Sequence, residues 1–182
     1  MPVLIRRLAD RIAPGCVLTT PQPLRVSRSK LVKGEELDRL VQLAAAKAGP
    51  RGAVLIILDA DDDCAAGLAT SLLARARAAA PDPDSVSVVV ANREFEAWFL
   101  VGLESLRGQR GIRADVTSVK GAEEIRDAKG RLTSSMSGTR TYGEVLDQAA
   151  LAALVDIDSA LLAPSFAKLY REMERLLARA EP

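Results

Sequence analysis

Ala53-Val54-Leu55-Ile56-Ile57-Leu58-Asp59-Ala60-Asp61-Asp62-Asp63 is the stretch on which the reading of this chain turns. An unbroken apolar run passes straight into four carboxylates. A strand apolar on both faces belongs inside a parallel sheet covered by helices. In open sheets of that kind, ligands bind outside the carboxyl ends of the strands, which is where these acids begin. Asp59 and Asp61 are two apart, the strand repeat, so they are expected to face one side as the strand ends. Left alone, the four carboxylates repel one another, and hard oxygen donors in this pattern suit Mg²⁺ or Mn²⁺. The competing role for Asp62 or Asp63 is to cap the helix that follows.

Working outward, Ala65–Ala79 reads as an alanine-rich helix and Val86–Ala91 as the next strand, with a second helix over Arg93–Leu106 carrying Trp98, Phe99 and Leu103 towards the core. This strand–helix–strand–helix rhythm, at roughly 30-residue spacing, predicts an α/β fold with a parallel sheet. Upstream, Val3–Ala13 is an amphipathic helix stopped by Pro14-Gly15, and Glu35–Ala48 is another, ended by Gly49-Pro50. Cys16–Thr19, Leu24–Ser27 and Val116–Val119 are short strand candidates. Gly130–Gly143, polar and rich in Ser and Thr, reads as a loop, and helices over Gly143–Leu154, Asp156–Leu162 and Pro164–Ala180 close the chain.

The chain has 182 residues, 48% of them hydrophobic and 27% charged, which fits one soluble domain. Aromatic residues make up only 3%, so the core is aliphatic and a base-stacking platform for single strands is not expected. There is no histidine, which excludes Ser-His-Asp and Cys-His catalysis and every His-containing zinc site. Two cysteines, Cys16 and Cys64, are too few for a disulfide scaffold. No apolar run approaches the roughly 20 residues of a membrane span, and the N-terminus lacks the regions of a signal peptide. A cytoplasmic protein without a membrane partner is expected.

The net charge of +1 conceals segregation: residues 1–50 carry nine Lys/Arg against four Asp/Glu, and residues 51–104 carry four against nine. The acids thus cluster where chemistry would sit. Glu94 and Glu96 follow the second strand and belong to the same rim, but two residues apart on a helix they cannot face one way. Glu96, beside Trp98 and Phe99, is the candidate functional acid, because an acid on that buried side is costly unless used. Lys120, after the last strand candidate, is the candidate cation for a phosphate or for the aspartates; the competing reading is an ordinary surface lysine. Ser134–Gly143 reads as a plain loop, with an anion-holding nest as the alternative. Arg25, Arg28, Lys30 and Lys33 form a basic cluster compatible with nucleic-acid backbone contact.

The blocks LDADDDC (58–64), NREFEAWFL (92–100), KGAEEIRDAKGRL (120–132) and PSFAKLYREMERLL (164–177), in this order and spacing, resemble a bacterial family catalogued as "domain of unknown function 4276". That family is grouped with Toprim-like domains, the Mg²⁺-binding α/β module of topoisomerases, primases and some defence nucleases. The resemblance implies a Toprim-like, Rossmann-like parallel sheet flanked by helices, as one domain with an α/β core over 1–120 and a helical extension over 121–182. It implies that Asp59 and Asp61 are the Asp-x-Asp metal pair, and it aligns Glu96 with the family's acid in its EAWF block. Family members usually open with a strand ending in a Glu-Gly-x-x-Glu-type segment, just before the helix that here begins at Met1. The expectation is therefore a polypeptide lacking its first strand and that glutamate.

Together these observations predict a Mg²⁺- or Mn²⁺-dependent, phosphodiester-cleaving protein acting on nucleic acid, with Asp59, Asp61 and Glu96 as metal ligands and Lys120 assisting. The resemblance adds a bacterial-defence setting and an ATPase partner, since small Toprim-like proteins often work beside one. The reading from another class is a non-catalytic binding or regulatory subunit that keeps the fold. A haloacid-dehalogenase-type phosphatase, with Asp59 as nucleophile and Asp61 as acid, is disfavoured because Asp63 stands where that motif has Thr or Val.

Overall fold

In the computed structural model, which describes residues 1–34 and 36–180, the apolar run becomes strand β1 (Val54–Asp59) and pairs in parallel with β2 (Val86–Ala91). The register runs from Val54 opposite Val86 to Asp59 opposite Ala91, so both strands end at one rim. Alternation along the strands divides the core in two. Val54, Val86, Val88 and Val90 belong to one apolar cluster, whereas Val89 and Ala91 belong to the other, joined by Leu55 and Ile57. The first cluster lies under α3 (Glu36–Ala48) and α4 (Ala65–Ala79), which supply Leu37, Val41, Ala69, Leu72 and Ala76.

On the other face pack α1 (Pro2–Ile12), α5 (Ala97–Val101), α7 (Glu144–Leu154), α8 (Ile157–Ala160) and α9 (Pro164–Ala180). The few aromatics concentrate here. Phe95 meets Trp98 and Phe99 edge-on at 4.8 and 5.1 Å, and Trp98 meets Phe166 at 5.3 Å. The mixed α/β architecture with helices on both sheet faces is as expected from the two apolar runs.

The sheet is smaller than expected, for reasons visible in the backbone. Val116–Val119 is not a strand: the Val119 amide donates to the Leu100 carbonyl at 2.9 Å, and the Val116 carbonyl accepts from Arg107 Nε at 2.7 Å. Its polar groups are thus paired with the helical segment before it. Cys16–Thr19 and Leu24–Ser27 are irregular, and Pro21 and Pro23 between them cannot donate to a ladder. A short helix, α2 (Arg28–Lys33), follows them. On the β2 side, Arg175 of α9 donates to the Val86 carbonyl at 2.9 Å, so a side chain takes an acceptor a further strand would use.

The helix expected over Glu35–Ala48 is seen as α3; Glu35 lies outside the described residues. The helix expected over Arg93–Leu106 shrinks to α5 and a 3₁₀ turn at Leu103–Leu106, because the chain takes a left-handed step at Arg93 (φ 58°). The expected loop over Gly130–Gly143 instead begins inside α6 (Ala128–Ser134), whose first turn is capped by Asp127 accepting from the Gly130 amide at 2.8 Å. Leu132, fully buried, anchors that helix.

Candidate active site

Two groups of acids stand at the carboxyl rim, and their surroundings differ. The run after β1 turns sharply. Asp61 adopts a left-handed backbone (φ 51°), and its amide donates to the Arg93 carbonyl across the rim at 3.0 Å. Arg28 of α2 reaches into this turn, with Nε 2.9 Å from the Asp59 carbonyl and Nη2 3.0 Å from that of Ala60. The same guanidinium pairs with Asp61 at 3.4 Å and with Asp63. Asp62 pairs with Arg93 at 3.1 Å and Arg126 at 2.8 Å. None of the acids caps α4; its N-cap is Cys64, without a side-chain hydrogen bond, so the capping expectation for Asp62 or Asp63 is corrected. Arg28, one of the basic cluster read as compatible with nucleic-acid backbone contact, is spent on the rim itself. A cavity of about 320 Å³ beside this run is lined by Asp61, Asp62, Asp63, Asn92, Arg93 and Glu123 among others, and does not include Asp59 or Glu96.

Asp59 and Glu96 form the second group. Asp59, the last residue of β1, is half-buried, and its Oδ1 accepts the Phe95 amide at 2.8 Å. Burial drives its pKa up to about 6 against that hydrogen bond and the charge of Lys129, with Asp61 and Glu94 adding to the rise. Glu96 precedes α5 and is 1% exposed. Burial also raises its pKa, opposed by a hydrogen bond from the Tyr142 hydroxyl (2.9 Å to Oε1) and by Lys129; the Asp59 charge adds to the rise. Each acid is therefore short of countercharge, and they share Lys129 as their cation. Lys129 also pairs with Glu144, which holds its own pKa up.

Of the residues singled out from the sequence, Asp59 is joined to the segment of Glu96 through the Phe95 amide, Asp61 neighbours Asp59 but is turned to Arg28, and Lys120 is exposed on the turn before a 3₁₀ segment, outside the ion pairs among the described residues. Glu94 accepts the Lys129 amide at 3.2 Å, and its charge reaches Asp59. Lys129 and Tyr142 were not legible as site residues. Tyr142 stands in the stretch read as a loop and Lys129 just before it, and the one available signal is Asp127 as the cap of the helix that carries Lys129.

Among the described residues no three Asp, Glu or Cys side chains stand together as a metal-binding group. No helix among the described residues is long and apolar enough to cross a membrane. Neither a curated protein nor a solved structure matches the chain. The sequence profile of Domain of unknown function (DUF4276) matches residues 3–174, the span that includes both strands, Asp59, Glu96, Lys129 and Tyr142, and the chain belongs to that family.

Proposed function

We propose that the Asp59–Glu96 pair is the working centre of a Toprim-like, Mg²⁺- or Mn²⁺-dependent protein that cleaves phosphodiesters in nucleic acid. One juxtaposition supports this reading: at the rim where α/β sheets bind ligands, Asp59 at the end of β1 accepts the amide of Phe95, the residue before Glu96, and both acids feel the charge of Lys129. Two carboxylates fit Mg²⁺, which is usually held by one or two acids while water and substrate phosphate complete its shell. Asp59 and Glu96 would hold the ion, and Asp61, turned to Arg28, would not. When bound, such an ion supplies Lewis-acid stabilisation of phosphate charge and a more acidic water. The chain's own residues do the rest. Tyr142 orients Glu96 through Oε1. Lys129 offers the positive charge that a phosphate approaching two acids requires. Asp59, with its pKa near 6, holds a proton in mild acid and releases it at neutral pH.

The test is Mn²⁺ titration followed by thermal unfolding and by cleavage of single- and double-stranded DNA and RNA. Wild type should gain thermal stability from Mn²⁺ and cleave at least one substrate; Asp59→Asn with Glu96→Gln should lose both. An equal Mn²⁺ response in wild type and the double variant ends the proposal.

A second reading has its own observation. Every aspartate of the 61–63 run is met by an arginine of the same chain, an arrangement that holds a surface rather than a reaction. A non-catalytic binding or regulatory subunit would keep that surface, bind Mn²⁺ at Asp59–Glu96, and cleave nothing. An ATPase partner belongs with either reading.

A further inference from the structure

Glu96 does not set its own orientation. The phenol that holds it, Tyr142, sits on the irregular segment between α6 and α7, where a side chain would ordinarily be free to swing away. This segment is fastened at several points. The Tyr142 amide donates to Thr133 Oγ1 at 3.1 Å, and the Gly143 amide donates to Asp147 Oδ2 at 3.0 Å. Asp147 Oδ1 accepts from Arg140 Nη2 at 2.6 Å. Asp147 is the hub, with a side chain only 2% exposed.

Arg110 joins the same carboxylate at 3.6 Å and also donates to the Leu146 carbonyl at 3.1 Å. The backbone under these arginines is adapted to them. Arg110 takes a left-handed conformation (φ 50°), which a residue with a side chain rarely adopts. At Gly111 (φ 87°) a Cβ would stand 2.5 Å from Arg140 Cδ, so only glycine leaves room for the Arg140 side chain to lie there. Stability alone does not call for this. A buried ion pair is often matched or bettered by apolar residues of the same volume, so net stability does not account for this arrangement.

We propose that Asp147 is a positioning residue for the candidate active site: it clamps Arg140–Gly143 so that Tyr142 donates to Glu96 and fixes the direction of that carboxylate. The inference rests on the reading of Glu96 as a working acid and deepens it. Tyr142 is the intermediary, and Gly111 and Arg110 shape the seat in which the clamp is built. Glu144, the first residue of α7, meanwhile holds Lys129, so one turn of helix governs both the cation and the acid of the site.

The test uses full-length protein carrying Tyr170→Phe, which leaves Tyr142 as the only tyrosine. Ultraviolet resonance Raman then reports whether that phenol donates to a carboxylate, and Mn²⁺ affinity is measured alongside. Arg140→Ala leaves Asp147 paired with Arg110 and keeps the fold; Asp147→Asn tests the hub. Both should lose the donor signature and weaken Mn²⁺ binding by about tenfold, the range for residues that orient a metal ligand. Arg140→Lys should restore part of both. With Tyr142→Phe already present, Asp147→Asn should cost no further affinity, because its effect passes through the phenol. A donor signature retained in folded Arg140→Ala overturns the clamp whatever Mn²⁺ does, as does an affinity loss in Asp147→Asn that is undiminished by Tyr142→Phe. Loss of the signature while Mn²⁺ binding is indifferent to Glu96→Gln upholds the clamp and overturns the cation reading instead.

Discussion

The acidic run Asp61–Asp63 and the pair Asp59–Glu96 lie on one rim and behave oppositely. The run is dense in charge but exposed, and Arg28, Arg93 and Arg126 meet it carboxylate by carboxylate. The pair is sparse in sequence, separated by two elements, and withdrawn from water around one shared lysine. Charge density along a chain is therefore a poor guide to where charge remains unresolved. Burial together with a shortage of partners leaves an acid ready to take a proton or a cation.

The largest effect that tests this contrast belongs to Arg28. Replacing it with Ala strips the carbonyls of Asp59 and Ala60 of their donor and leaves Asp61 and Asp63 unopposed. Partly buried acceptors left unpaired should cost about 2–3 kcal/mol, read from urea unfolding in EDTA. If the run is held together by Arg28, Mg²⁺ should recover part of that loss in the variant and far less in wild type. A variant as stable as wild type would show that the run is merely solvated.

The next effect has the opposite sign. Asp59 has its folded pKa raised to about 6 from an ordinary value of 3.8, so the folded state binds the extra proton between those limits. Its contribution is full below about pH 4 and is lost as pH rises through about 6. At pH 7.5 without metal, the buried charge costs on the order of 2 kcal/mol, after discounting for partial solvent access. Asp59→Asn, which still accepts from the Phe95 amide, should be more stable than wild type by about that amount and should flatten the pH dependence between 4 and 6. Unfolding curves at pH 4.5 and 7.5 for the two proteins decide it.

How much of this was legible follows the same division. Val54–Asp59 and Val86–Ala91 announced themselves because runs of successive apolar residues suit strands covered on both faces; Ser87 departs from the run, and Glu172 and Arg175 take up its hydroxyl. Asp59 and Glu96 followed, one from its place at a strand end and the other from its aromatic neighbours. The short stretch Val116-Thr117-Ser118-Val119 misled, since its backbone partners are Leu100 and Arg107, which no local pattern reports. Lys129 and Tyr142 were hidden for a related reason. Their segment is polar, and its order comes from Asp127, Asp147 and two arginines, contacts that composition reads as solvation.

The smallest effect bears on the exposed end of the comparison. Asp62 has two arginines, Arg93 at 3.1 Å and Arg126 at 2.8 Å, and the shorter contact is the less consequential. The Arg126 side chain is 73% exposed and that of Asp62 71%, so water and salt screen the pair and ordering two mobile side chains offsets the attraction. Arg93 is only 30% exposed, and its backbone is committed to the rim through the bond its carbonyl accepts from the Asp61 amide. Arg126→Ala should therefore shift stability by less than about 0.5 kcal/mol, and 0.5 M salt should erase even that. Arg93→Ala should cost more and keep most of its effect in salt, because its side chain is the less exposed partner of Asp62. A larger loss from Arg126 than from Arg93, measured by urea unfolding at low and high salt, would mean that distance outweighs burial on this rim, and the distinction between the run and the pair would have to be redrawn.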